Sequence, residues 1–124
     1  MLHLYLFWSL LINRKIVFSY SGTKFFGYQR QLNERTVEGE LLKALRKFTD
    51  EPKIFSAGRT DAGVHAFGQV LSVDINKGYT PMELEKGLQF YLPDDINVRS
   101  VEDVDIDFNA RYSAKSREYR YYFS

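Results

Sequence analysis

This chain of 124 residues predicts an α+β fold of the ferredoxin-like kind, βαββαβ, with an antiparallel sheet and both helices on one face. Three observations predict it. Short β-branched or aromatic runs recur at four places, two amphipathic stretches with capping residues separate them, and residues 69–75 alternate apolar and polar side chains. The length is one domain's worth of material.

The first strand is predicted over residues 15–20 (KIVFSY), rich in β-branched and aromatic side chains. Residues 21–35 (SGTKFFGYQRQLNER) mix glycines, rings and bases without a period, so they predict a long loop or irregular hairpin. A helix follows, capped by Thr36, with Val37, Leu41, Ala44, Leu45 and Phe48 on one face. Residues 54–57 form a short strand feeding a glycine-flanked loop. In 69–75 Leu71, Val73 and Ile75 face one way, and Val70, Ser72 and Asp74 the other. Thr80-Pro81-Met82-Glu83 is a capping box with proline at the first helical position. Leu84, Leu88 and Tyr91 are the apolar stripe of that second helix, and Pro93 stops it. A last strand is predicted over 96–101. In the terminal REYRYYFS, Tyr119, Tyr121 and Phe123 share one face, and the pattern is still running where the chain stops.

Composition excludes some chemistry. The chain has no cysteine, so neither a disulfide nor a thiolate metal site is available. With only His3 and His65, a histidine metal cluster is excluded as well. A net charge of +1 gives little global attraction for a polyanion, so a nucleic-acid partner would rely on local charge. Charge is indeed uneven: residues 22–59 and 111–120 are rich in Lys and Arg, whereas 94–107 are acidic apart from Arg99. Nine tyrosines and ten phenylalanines suit a ring-rich core or exposed stacking platforms. The apolar start MLHLYLFWSLLI is shorter than the ~20 residues that span a bilayer. It also lacks the basic flank and cleavage site of a signal peptide. An added strand, a partner-contacting tail or a start codon placed too far upstream would each account for it, and residues 1–14 are set apart as an extension of unknown role.

Chemistry concentrates in AGRTDAGVHAFGQ, residues 57–69. Asp61 is the only acid between Glu51 and Asp74, so no neighbouring carboxylate shares its proton. Arg59, two residues earlier, favours the ionised form if the side chains approach, which suits a nucleophile or base. Gly58 and Gly63 allow positive φ and leave no side chain to obstruct a ligand. An ordinary turn is the competing reading. His65 reads as a general base or as a hydrogen-bonding histidine beside a strand. Asp74, Asn76 and Glu85 mimic three positions of a calcium loop, but Tyr79 stands where that loop needs glycine.

The segments FSYSGTKFFGYQRQ, TVEGELLKAL, AGRTDAGVHAFGQV and FNARYSAKSREYRYYF, in that order, resemble the N-terminal half of a TruA-type tRNA pseudouridine synthase. The resemblance implies catalysis by Asp61, with Arg59 as the partner that helps displace the target base and Tyr119 as the ring against it. Lys24, Arg30 and Gln31 fall in a region that resembles a tRNA-touching arm. Such an enzyme needs no cofactor or metal, acts on tRNA in the cytoplasm, usually in the anticodon stem-loop, and works as a homodimer without a membrane. Residues 15–124 are then the catalytic-aspartate domain. Family members are about twice as long, with a second ferredoxin-like half that completes the cleft. The isolated chain is accordingly expected to have little activity. The alternatives are a non-catalytic RNA-binding module, or a half-protein that pairs with a separately encoded C-terminal half.

Overall fold

The computed structural model describes residues 10–31, 33–58, 63 and 65–113. In chain order the elements are β1 Leu11–Tyr20, α1 Val37–Leu45, β2 Phe55–Ser56, β3 Ala66–Asn76, α2 Pro81–Tyr91 and β4 Ile96–Asp103. A short 3₁₀ turn, Gly22–Lys24, follows β1. The strands form one sheet in the order β2-β3-β1-β4, and every adjacent pair is antiparallel. This is the βαββαβ arrangement expected of a ferredoxin-like half, with the two central strands contributed by the first and third strand segments.

The helix starts follow their sequence signals. Thr36 caps α1 by accepting a hydrogen bond from the Gly39 N–H at 3.2 Å. At α2 the Thr80 hydroxyl accepts from the Glu83 N–H, while the Glu83 carboxylate accepts from the Thr80 N–H, closing the capping box. Leu92 is extended, as a residue before proline must be, and α2 ends there.

A single apolar cluster lies between the sheet and the helices. Ile16, Phe18 and Tyr20 of β1 and Leu71, Val73 and Ile75 of β3 meet Val37, Leu41, Ala44 and Leu45 of α1 and Leu84 and Leu88 of α2. Burying each large aliphatic side chain here stabilises the fold by ~1.5–3 kcal/mol. Tyr91 departs from the stripe the sequence predicts: it is 49% exposed, and Leu92 is buried instead. The Tyr91 ring packs edge-on against Phe48 and Phe90 at the helix surface.

β1 begins four residues before the pattern predicts. Leu11 to Arg14 pair with Asn76 to Val73, and the two polar residues among them find tertiary partners. Arg14 is fully buried, donating to the Asp103 carboxylate at 2.7 Å and to the carbonyls of Asn76 and Tyr79 at 3.0 and 2.8 Å. Asn13, on the opposite face, donates to the carbonyls of Asp105 and Phe108. The chain after β4 thus returns across the face opposite α1 and α2, where residues 110–113 are helical. There the Ala110 N–H donates to the Ser72 hydroxyl at 3.1 Å, which explains a buried serine on the polar side of β3.

Candidate functional site

One end of the sheet gathers the described parts of two segments that the sequence marks as functional, the 21–36 arm and the flanks of the 57–69 loop. Tyr20, at the end of β1, pairs with Ala66 at the start of β3 and with Ile96 at the start of β4. β2 ends beside them, with the Ala57 N–H donating to the Val70 carbonyl at 2.8 Å. Residues 57–65 therefore leave β2 and enter β3 at the same end from which residues 21–36 leave β1. Where β3 starts, the register with β1 slips between Phe18 and Tyr20, so a bulge lies directly beside the loop. Bulges re-aim side chains and sharpen local twist, and Phe67 within this one is 85% exposed.

Two side chains hold the loop at its flanks. His65 Nδ1 accepts a hydrogen bond from the Gly22 N–H at 2.9 Å, tying the loop to the segment after β1. This is a positioning contact, and it requires Nδ1 to be the unprotonated nitrogen. Gln69 Nε2 donates to the Gly58 carbonyl at 3.0 Å, while its Oε1 accepts from the Val70 N–H. The two glycines differ in role. Gly63 has φ 80°, the left-handed region that disfavours a side chain, and a Cβ there would meet nothing within 4 Å. Gly58 is not in that region; a Cβ there would lie 3.4 Å from Gln69 Nε2. Its carbonyl contact, rather than positive φ, is what the structure uses.

The described residues of 21–36 form an arm of the irregular-hairpin kind, one of the two forms the sequence predicts. The Phe26 N–H donates to the Arg35 carbonyl at 2.8 Å, and the N–H groups of Val37 and Glu38 donate back to the carbonyls of Gly27 and Tyr28. Tyr28 is fully buried; its ring stacks on Phe18 and its hydroxyl hydrogen-bonds the Ser56 hydroxyl of β2. The arm is thereby anchored to the strand that feeds the glycine-flanked loop. Arg35 closes its other side. The guanidinium donates to both carboxylate oxygens of Asp95 at 3.0 Å and lies 4.1 Å from the Phe25 ring centroid. The hydrogen bond to Arg35 holds the Asp95 carboxyl below the ordinary aspartate range, and the same bond raises the Arg35 guanidinium. Asp95 also accepts from the Ser21 N–H through its carbonyl at 3.0 Å.

Of the residues that the sequence singles out, Lys24, Arg30 and Gln31 are exposed on the arm. The Gln31 amide donates to the Phe26 carbonyl, and the Arg30 N–H donates to the Glu38 carboxylate. Arg59, Asp61 and Tyr119 lie outside the described residues. The anchoring pairs Arg35–Asp95, Tyr28–Ser56, His65–Gly22 and Gln69–Gly58 escape sequence reasoning. Most join residues far apart in the chain, and none has a local spacing that marks it. Among the described residues, no group of three potential metal-ligating acids or histidines comes together, and no helix is long and apolar enough to cross a membrane. A hollow of about 1200 Å³ lies toward the other end of the sheet between Leu11, Asn13, Asp74 and Phe108, and none of the described residues of 57–69 lines it.

A family model described as tRNA pseudouridine synthase matches residues 16–113. The chain is 47% identical over 109 residues to tRNA pseudouridine synthase A of Geobacillus sp. (strain WCH70), covering 86% of the chain and 44% of the relative. It is 49% identical over 114 residues to the protein of the same name from Dictyoglomus thermophilum, covering 90% of the chain and 46% of the relative. The chain spans less than half the length of these relatives.

Proposed function

The chain belongs to the tRNA pseudouridine synthase family, and from that premise we propose that it supplies the catalytic-aspartate half of an enzyme converting uridine to pseudouridine in tRNA. The observation that supports this reading is the clamp at the sheet end. The loop containing Arg59 and Asp61 is held at Gly58 and His65, and the His65 contact fastens it to the basic arm. A loop held at its described flanks beside a cationic arm suits chemistry on a nucleotide within a polyanion.

The reaction breaks the C1′–N1 bond, turns the base and joins C1′ to C5. A proton leaves C5 and one is gained at N1, so the product is an isomer. Neither an oxidant nor a metal enters this balance. The target base must leave its stack, at a cost of a few kcal/mol. Arg59 offsets part of that by occupying the vacated space and anchoring phosphate. Asp61 acts at the sugar or base as nucleophile or proton acceptor. Tyr119 holds the detached uracil, and base–ring stacking contributes ~1–3 kcal/mol. Lys24, Arg30 and Gln31 contact the RNA from the arm. The uridines lie in the anticodon stem-loop of a cytoplasmic tRNA, and the full-length form acts as a homodimer whose second half completes the pocket.

The test incubates the purified chain with a uridine-containing tRNA transcript and measures pseudouridine, with and without a separately expressed C-terminal half from a relative. Product in the complemented mixture, abolished by Asp61→Asn with RNA affinity nearly intact, is the expected result. Tight RNA binding with no product in either mixture would favour a binding module and overturn the enzymatic reading.

A further inference from the structure

Two hollows on the surface differ in charge. The large hollow carries Asp50, Glu51, Asp74 and Asp107 against Arg46 and Lys53, which disfavours a polyanion. The smaller groove, about 250 Å³, lies between the arm and α1 and is lined by Arg30, Arg35, Lys43 and Arg46 with Glu34 and Glu40. Its carboxylates are partly occupied, since Glu40 lies 3.9 Å from the Arg35 guanidinium. The ion pairs among the described residues are those of Arg14, Lys15 and Arg35, so Arg30, Lys43 and Arg46 enter none. Lys43 in the last turn of α1 and Arg46, its C-terminal cap with helical dihedrals, are three residues apart, hence neighbours on the surface, and both are exposed.

The start of α1 is not the attraction. The N–H groups of Val37, Glu38, Gly39 and Glu40 are already bonded to Gly27, Tyr28 and Thr36. Any anion held here is held by side chains. Three unpaired cations along a groove suit a run of backbone phosphates better than one small anion, which would be fixed by a single convergent cluster.

We infer that the groove between the arm and α1 is a phosphate track, in which Lys43 and Arg46 together with Arg30 hold the RNA backbone outside the reacting nucleotide. The inference rests on the tRNA reading above and extends it from the arm to the exposed side of α1. The contacts are electrostatic and sequence-independent, so they position the RNA without selecting the uridine.

The test measures binding of a uridine-containing tRNA transcript to the 124-residue chain by fluorescence anisotropy at several salt concentrations. Lys43→Gln with Arg46→Gln is expected to lower the slope of log K against log salt by about 1.4 to 1.8. Affinity at ~0.15 M salt should then fall roughly 15- to 30-fold. Lys77→Gln with Lys86→Gln removes the same charge elsewhere and serves as the comparison, and the melting curve of each variant checks that it folds. An unchanged slope in the groove variant overturns the track while leaving the tRNA reading intact. An equal loss in the comparison variant also overturns it, because net charge alone would then account for binding. A wild-type chain that binds no tRNA overturns both readings.

Discussion

Removing either partner of Arg35–Asp95 should loosen the arm by an amount that the geometry sets. Two bonds of 3.0 Å in a fork join the side chains, which are 35% and 22% exposed. A half-sheltered bidentate pair of this kind belongs near the top of the range for surface pairs, about 1 kcal/mol. The Phe25 ring, 4.1 Å from the guanidinium, adds ~0.5–1 kcal/mol that depends on Arg35 alone. Asp95→Ala is therefore expected to cost ~1 kcal/mol and Arg35→Ala ~1.5–2 kcal/mol, with the double variant close to the arginine change. The assay is urea unfolding of the four proteins at neutral pH, with hydrogen exchange at the Phe26 amide, which donates to the Arg35 carbonyl. The pH dependence has a definite sign. Because the folded-state Asp95 value is depressed, its contribution is present above the unfolded aspartate value and disappears as pH falls through the folded one, below pH ~4. The raised Arg35 value is the other side of the same pair: it is lost in strong alkali and also fades below pH ~4 with the ionised Asp95 that chiefly causes it. A coupling energy below ~0.3 kcal/mol, or the same coupling at acid and neutral pH, would refute the assignment of this pair as the arm's clasp.

Other outcomes follow from the same contacts. Arg14→Ala should cost ~3 kcal/mol in urea unfolding, since it opens a cavity and removes the donors to Asp103, Asn76 and Tyr79; a loss under ~1 kcal/mol would show that water replaces the guanidinium. His65→Ala should speed exchange of the Gly22 amide roughly 2- to 10-fold, the equivalent of one net hydrogen bond. His65→Asn, which restores an acceptor near the Nδ1 position, should recover most of the protection. Equal exchange in all three proteins would remove histidine from the clamp.

Much of this molecule was legible in the chain because its signals are local. Alternation at Leu71, Val73 and Ile75 and the caps at Thr36 and Thr80 each act within a few residues, and the structure uses all of them. Arg14 was not legible: an arginine before a strand reads as a solvated charge until the Asn76 and Tyr79 carbonyls, 62 and 65 residues away, close around it. Tyr91 failed in the opposite sense, because helical spacing says which residues share a face but not how far the neighbouring sheet reaches to cover it. The residues that supply the proposed chemistry, Arg59 and Asp61, were named by sequence. That their loop is tied to the arm was decided by tertiary structure alone, since Gly22 and His65 lie 43 positions apart and meet only because β1 ends where β3 begins. Short-range order is written in propensity and spacing, whereas the partners of buried polar groups depend on which strands become neighbours.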